Sequence, residues 1–271
     1  MPMLKSKDHL NLDYGGNGDS RQMLDLRLPP NAQRPGPLII WFHGGGWYKG
    51  DKHAHNVPPH LTERYLTRGY AVASANYRLA QHSPFPAQIH DGKAAIRYLR
   101  SHAQQYNLDP ERIGVWGQSA GAYLAVFLGV TNGNPELEGR VGRHLDQSSA
   151  VQAVVNRCAP TDMTMPNQPK DLWDPFEKML GTSVAQKPAL AAQASPITYV
   201  TSQAVPMLIL HGDSDPIVPL AHAQLLDTAL QQAGVEVTFI TLKNTGHGGG
   251  GFLLPATDTL TAGFFDKHLC W

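Results

Sequence analysis

Short apolar runs recur along the chain at intervals that a helix can bridge, and this rhythm restricts the fold more than any other property of the sequence. The runs are "PLIIWFHG" (37–44), "YAVASANY" (70–77), "RIGVWGQ" (112–118), "VQAVVNRCA" (151–159), "PMLILHG" (206–212) and "VEVTFITL" (235–242). Each is rich in β-branched and aromatic residues and too short for an ordinary helix, which suits strands covered on both faces. Between them stand apolar residues at helical spacing: Leu61, Tyr65 and Leu66; Ile89, Ala95, Ile96 and Leu99; Tyr123, Leu124, Phe127 and Leu128; Leu225, Leu226, Ala229 and Leu230. Strand and helix alternating in this way predict an α/β fold, a mostly parallel central sheet with helices on both faces. Ahead of this series "RQMLDLRLP" (21–29) alternates apolar and polar residues, as a half-buried strand does, and "PNAQRPG" turns the chain after it.

Residues 160–204 break the rhythm. They hold Pro160, Pro166, Pro169, Pro175, Pro188 and Pro196, with short helical stretches around "WDPFEKML" and "KPALAAQA". A structureless loop of that length is unusual in a compact domain, so the segment reads as a small lid-like insertion over one end of the sheet. A chain of 271 residues can bury one sizeable core, and residues 1–271 are expected to form one domain.

Composition removes several classes of function. Hydrophobic residues at 42% and charged residues at 16% indicate a folded chain rather than a disordered one. Lys+Arg and Asp+Glu both number 22, leaving no basic excess to neutralise phosphates, so nucleic acid is not an expected partner. No apolar run approaches the roughly 18 residues of a membrane span. The start "MPMLKSKDHLNLDYGG" lacks the apolar core of a secretory signal, which points to the cytoplasm, although a secreted chain already cleaved would read the same way. Cys158 and Cys270 are too few for a disulfide framework; both sit beside apolar residues and are expected as buried free thiols, with a single bridge left open. The oligomeric state is not legible.

The chemistry concentrates in four places. "WGQSAG" (116–121) sets Ser119 in a Gly-x-Ser-x-Gly frame between a predicted strand and a predicted helix, the context of a nucleophile elbow; a plain turn with a capping serine is the simpler reading. "HGGGW" (43–47) follows a predicted strand, and its glycines leave backbone N–H groups open to a ligand. Gly44 and Gly45, with Ala120 just after the serine, are the candidate donors to an oxyanion. No Lys-Ser/Thr pair follows the glycines, which argues against a phosphate cradle. "HGDSDPIVP" (211–219) follows another predicted strand and offers Asp215 as the acid of a triad, with Asp213 and then Asp162 as alternatives.

A base that follows Asp215 in the chain is His222, His247 or His268. His222 falls in the first turn of a predicted helix and is expected at the surface, and His268 ends the last helix. His247, in "NTGHGGGGF" (244–252), lies on a loop between the final strand and the final helix and completes the order Ser119, Asp215, His247. Gly246 and Gly248 are expected to let that loop bring His247 to Ser119, and Gly249 to Gly251 to release the chain into the helix. His53, His55 and His60 in "DKHAHNVPPH" match no metal-site spacing, so no metal is expected there. Asp91 reads as a structural or surface charge.

At these residues the chain resembles the α/β-hydrolases of the carboxylesterase kind, and is similar to the hormone-sensitive-lipase-like esterases and the bacterial feruloyl and acetyl-xylan esterase-like proteins. The resemblance runs from about Leu24 onward through "HGGGW", "GQSAG", "HGDSDPIVP" and "TGH" in order. It implies an α/β-hydrolase fold, a Ser119/His247/Asp215 triad, an oxyanion hole from Gly44, Gly45 and Ala120, and no cofactor. Gln118 stands where the hormone-sensitive-lipase-like enzymes usually carry an acid, and little precedes the first strands, which favours the compact feruloyl and acetyl-xylan group. The expected activity is hydrolysis of a small-molecule carboxylic ester. "HGGGW" also resembles the His-Gly-Gly-x-Trp of arylformamidases, so an N-formyl amide is the alternative substrate, and a non-catalytic binding member of the fold is a third reading. Trp47, Met163, Trp173 and Phe176 are the candidates to line the substrate pocket.

Overall fold

Each apolar run lies in a strand. The computed structural model describes residues 7–30, 32–53 and 59–270, the side chains of 59–61 excepted. In chain order the elements are β1 (Lys7–Asp13), β2 (Met23–Leu28), β3 (Gly36–Phe42), α1 (Pro59–Thr67), β4 (Ala71–Ala75), α2 (Ala87–Ser101), α3 (Ala103–Tyr106) and β5 (Leu108–Gln118). There follow α4 (Ala120–Val130), β6 (Ala153–Arg157), α5 (Lys170–Leu180), α6 (Pro188–Gln193), β7 (Met207–Gly212), α7 (Ala221–Gln232), β8 (Val237–Leu242) and α8 (Pro255–Leu269). The strands form an eight-stranded sheet in the order β1-β2-β4-β3-β5-β6-β7-β8. Pairing is antiparallel from β1 to β2 and from β2 to β4, and parallel from β4 through to β8. This is the α/β-hydrolase fold expected from the sequence.

The unbroken apolar runs follow from burial on both faces. Leu38, Ile40 and Phe42 of β3 pack into one hydrophobic layer while Ile39 and Trp41 pack into the other. Likewise Met207 and Ile209 of β7 face the first layer, and Leu208 and Leu210 the second. Successive side chains of a strand point to opposite faces, so a strand with helices on either side needs an apolar residue at every position. The first layer also holds residues of α2, α4 and α7, the second residues of α1 and α8. All of α4 is buried, which explains why "AGAYLAVFLGV" is apolar around its whole circumference.

Several expectations change. β1 was not foreseen, because its polar edge sequence "KDHLNLD" lacks an apolar face and its pairing with β2 supplies the order instead. β8 is half-buried along most of its length, since it closes the edge of the sheet. Asp91 takes the structural rather than the surface role of the two expected: it is fully buried within α2, where its carboxylate accepts from Arg78 Nη2 at 2.8 Å, from the Arg78 N–H at 2.8 Å and from Gln22 Nε2 at 2.7 Å. Both cysteines are free; Cys158 is buried as expected, but Cys270 is exposed because it falls just past the end of α8. Among the described residues, no helix is long and apolar enough to cross a membrane.

The register brings the carboxyl ends of the central strands side by side. Phe42 pairs with Gly117, Gln118 with Arg157, and Arg157 with Leu210. The loops after β3, β5 and β7 therefore leave the sheet on one edge, the edge at which open α/β sheets bind ligands. Residues 160–204, between β6 and β7, contain α5, α6 and a 3-10 turn at Pro196–Tyr199 rather than open loop.

Candidate active site

Ser119 joins β5 to α4 with φ 56° and ψ −123°, a conformation that a residue with a side chain holds only where its surroundings enforce it. Its N–H donates to the Arg157 carbonyl at 2.9 Å, and its carbonyl accepts from the Tyr123 N–H at 2.9 Å in the first turn of α4. The two flanking glycines are steric requirements. A Cβ on Gly117 would lie 2.3 Å from the carbonyl carbon of Gly121, and one on Gly121 would lie 2.0 Å from the Phe42 carbonyl oxygen. Both obstructing groups are backbone, so neither position admits a side chain without moving a strand or α4.

His247 Nε2 stands 2.7 Å from Ser119 Oγ, and His247 Nδ1 2.7 Å from Asp215 Oδ2. A carboxylate only accepts, so Nδ1 carries the proton and the Nε2 lone pair faces the serine hydroxyl. The other carboxylate oxygen, Oδ1, accepts from the N–H groups of Ile217 and Val218, each at 2.9 Å. Burial alone would raise the Asp215 carboxyl. Hydrogen bonds with His211 and His247, the charge of His247 and the Val218 N–H outweigh it and hold the group well below the usual carboxylate range. His211, fully buried, has Nε2 2.8 Å from the Val218 carbonyl and 3.4 Å from Asp215 Oδ2. It steadies the loop that presents the acid.

The alternative acids and bases lie elsewhere. Asp213 accepts from Ser214 Oγ at 2.9 Å and from the Thr245 N–H at 3.3 Å, and so ties its own loop together. Asp162 closes a turn by accepting from the N–H of Thr164 at 2.9 Å. His268 meets Glu236 at 3.3 Å. His222 is fully buried, contrary to its expected surface position: Nδ1 accepts from the Thr161 N–H at 3.1 Å and Nε2 lies 3.1 Å from Gln168 Oε1. The first turn of α7 faces the 160–204 segment, which no local pattern reveals.

The His247 loop is fixed by contacts that sequence inspection missed. Gln118 Nε2 donates to the His247 carbonyl at 3.1 Å, and Cys158 Sγ donates to the same oxygen at 3.5 Å. Gly248 lies against Gln118, where a Cβ would come 2.9 Å from Nε2, whereas Gly246 has ordinary room for one. The positive φ angles fall at Gly249 (69°) and Gly250 (47°), so the loop turns after the histidine and not on both sides of it.

Ligand atoms of Cys158, Asp215 and His247 all lie within 4.8 Å of one another, a spacing that a metal could bridge. Both ring nitrogens of His247 are already engaged, and burial pushes the Cys158 thiol up, which keeps it protonated; metals take the thiolate. The donor set suits proton transfer. Of the histidine cluster after "HGGGW", His53 is exposed and 4.0 Å from Asp25, while His55 and the side chain of His60 lie outside the described residues.

The "HGGGW" loop runs beside the serine. Gly44, Gly45 and Ala120 line one cavity with Ser119 and His247, and a Cβ on Gly44 would lie 3.5 Å from Ser119 Cβ. Among the described residues, the N–H groups of Gly44, Gly45 and Ala120 have no acceptor. Gly45 and Gly46 have φ of 116° and 58°. The cavity measures about 740 Å³, and its walls include Trp47, Tyr48 and Lys49 together with Leu172, Pro175 and Lys178 of α5. Trp47 is in that lining, with its side chain almost fully buried. Met163, Trp173 and Phe176 do not line it: Met163 and Phe176 are fully buried in the packing below, and Trp173 stacks at a tilt on Phe176 with ring centroids 6.4 Å apart. The helical period of α5 turns Asp171, Asp174, Pro175 and Lys178 to the cavity and Leu172, Phe176 and Met179 to the core, and of these three Leu172 also reaches the cavity.

Burial pushes His43 down to about 4 and His222 down to about 4. Both are buried neutral, whereas an unfolded histidine titrates near 6.5. Between these values the unfolded chain binds more protons, so stability is full above about 6.5 and is lost as pH falls toward 4. The thermal midpoint should decline over that window. In His222→Gln the decline should be shallower, and equal slopes for the two proteins would refute the assignment.

Residues 24–230 match the BD-FAE family. Esterase LipQ of Mycobacterium tuberculosis is 32% identical over 237 residues, which cover 86% of this chain and 55% of LipQ. The chain therefore spans about half the length of the curated relatives it matches. A solved structure described as a truncated form of a carbohydrate esterase from gut microbiota superposes with TM-score 0.89 and 32% identity, covering 98% of each chain. Esterase 2 of Thermogutta terrifontis, in a form phosphonylated by sarin, superposes with TM-score 0.77 and 26% identity, covering 98% of this chain and 95% of that one.

Proposed function

The chain belongs to the BD-FAE family, and on that premise we propose that it is a serine carboxylesterase working through an acyl-enzyme on Ser119. The observation that carries the proposal is the pair of 2.7 Å hydrogen bonds from Ser119 Oγ to His247 Nε2 and from His247 Nδ1 to Asp215 Oδ2. In this mechanism His247 removes the Ser119 proton as Oγ attacks the ester carbonyl, and Asp215, held ionised, stabilises the imidazolium. The N–H groups of Gly44, Gly45 and Ala120 receive the oxyanion, each such donor being worth about 3 kcal/mol. His247 then passes its proton to the leaving alcohol, and water repeats the sequence on the acyl-enzyme. None of these steps calls for a cofactor.

The substrate side follows from the cavity. Its lining combines the buried Trp47 and Leu172 with Tyr48, Lys49, Lys170, Asp171 and Lys178. Buried apolar side chains beside charged and aromatic ones suit an acyl group carried on a polyhydroxyl alcohol, which favours acetyl or feruloyl esters of carbohydrates. The carbohydrate-esterase description of one structural relative supports the same class. In this reading residues 160–204 act as the lid-like wall of a single domain, with α5 over the site.

An N-formyl amide is the second reading, because "HGGGW" shares its pattern with arylformamidases. A panel of p-nitrophenyl acetate, p-nitrophenyl butyrate, methyl ferulate, acetylated xylo-oligosaccharide and N-formylkynurenine separates the two. The acetyl or feruloyl esters should exceed N-formylkynurenine in kcat/KM by more than about tenfold, the ratio that roughly 1.4 kcal/mol of transition-state discrimination gives. The reverse order would assign the chain to formamide hydrolysis.

A further inference from the structure

The loop that carries the candidate oxyanion donors is gripped by a residue that precedes His43 by 22 positions. Arg21 sits in a 3-10 turn (Ser20–Gln22) whose cap, Asp19, accepts from the Arg21 N–H at 2.8 Å. Its guanidinium donates from Nη1 to the Gly50 carbonyl at 3.1 Å, from Nε and Nη2 to the Tyr77 carbonyl at 3.2 Å each, and from Nη2 to His43 Nε2 at 3.3 Å. His43 and Gly50 bracket the "HGGGW" loop, so one planar fork holds both of its ends.

The contact with His43 fixes more than position. A guanidinium cannot accept, so the His43 Nε2 lone pair faces Arg21 and the proton resides on Nδ1. That Nδ1–H donates to the Gly44 carbonyl at 2.8 Å. The ring has little freedom to do otherwise: it stacks on Tyr77 with centroids 4.3 Å apart and planes 14° apart, and the Tyr77 hydroxyl donates to the His43 carbonyl at 2.8 Å. Gly50 closes over the bond so tightly that a Cβ there would lie 2.6 Å from both His43 Nδ1 and the Gly44 oxygen. Burial and the nearby Arg21 charge keep the imidazole neutral, as this tautomer requires.

A peptide unit is planar and trans, so the Gly44 carbonyl and the Gly45 N–H point in opposite directions. Whatever holds the carbonyl aims the N–H. We propose that Arg21 is a positioning residue for oxyanion stabilisation, acting through the His43 tautomer to hold the Gly44–Gly45 peptide with its N–H toward the reacting carbonyl. Without Arg21 the proton can move to His43 Nε2, and the Nδ1 lone pair then opposes the Gly44 oxygen and favours a flipped peptide. The inference rests on the reading of Ser119 as nucleophile and of the Gly45 N–H as oxyanion donor.

The test compares Arg21→Met and Arg21→Lys with the parent on p-nitrophenyl acetate, together with inhibition by a trifluoromethyl ketone, whose hemiketal oxyanion mimics the tetrahedral intermediate. Loss of a well-aimed oxyanion donor typically costs about 100- to 1000-fold in kcat. Arg21→Met should lose roughly 10- to 100-fold in kcat, with KM within about twofold, and its Ki for the ketone should rise by a similar factor. Arg21→Lys should stay impaired, because an ammonium cannot span the three acceptors; it also serves as the variant of record if Arg21→Met does not fold. A folded variant with unchanged kcat, or with a kcat loss that leaves ketone affinity untouched, or with KM rising in place of a fall in kcat, would overturn the inference. Ser119→Ala run alongside separates the two layers: if it retains hydrolysis the underlying reading fails, and if it is inactive while Arg21→Met is unimpaired only the role of Arg21 fails.

Discussion

Ser119→Ala should lower kcat on p-nitrophenyl acetate by about a millionfold while leaving the fold intact, the scale seen when a triad nucleophile is removed in other serine hydrolases. The size follows from the arrangement. Ser119 is the group whose oxygen His247 Nε2 approaches to 2.7 Å, and no second hydroxyl is bonded to that ring among the described residues. The strained backbone at φ 56° does not depend on the hydroxyl, because it is imposed by the Arg157 and Tyr123 hydrogen bonds and by the close approach of Gly117 to Gly121. Alanine has a Cβ just as serine does, so the melting temperature should change little. Residual turnover of about a thousandfold over water would come from the remaining oxyanion donors and from binding.

His247→Ala should cost a similar factor in kcat, and the two losses should not add. A serine hydroxyl at neutral pH is a poor nucleophile without a base, and a base without the serine has no proton to move, so the pair fails as a unit. The double variant should be no slower than either single one. Removing the ring leaves the Asp215 carboxylate buried, yet its Oδ1 still accepts from Ile217 and Val218, and His211 remains 3.4 Å from Oδ2. The acid loop should therefore survive, and steady-state kinetics of the folded variant will report the chemistry. A double variant far slower than either single one would mean that the two residues act independently.

The sequence reveals most where local pattern and tertiary role coincide. The central strands announce themselves because helices cover both faces, which forces apolar residues at consecutive positions such as Leu38 to Phe42. The elbow is equally legible, since Gly117 and Gly121 are demanded by backbone contacts at 2.3 and 2.0 Å and leave their mark as a motif. Once strand and helix frame Ser119, chain order is enough to select Asp215 and His247 from several acids and histidines, and the structure brings those three side chains together.

Elsewhere the determinants are distant in sequence. β1 has no apolar face and owes its order to β2. His222 reads as a surface residue because α7 gives no sign that the 160–204 segment packs over its first turn. The cavity wall lies on α5 at Asp171, Asp174, Pro175 and Lys178, one face around from Phe176, and the aromatic residues of the helix draw attention away from it. Arg21 carries no local signal at all, since its partners Tyr77, Gly50 and His43 meet it only after the sheet has formed. His43 was within reach, because it stands inside "HGGGW"; its role emerges from the Nδ1 bond to the next residue's carbonyl.

The central claim is that Ser119 becomes covalently acylated, and the most direct measurement is mass spectrometry of the protein after reaction with diethyl p-nitrophenyl phosphate, an ester whose phosphoryl-enzyme is slow to hydrolyse. One adduct per chain, located on Ser119 in the proteolytic digest and formed in step with loss of esterase activity, is the predicted result. Activity lost with no adduct on Ser119, or full labelling of Ser119 with activity retained, would contradict it.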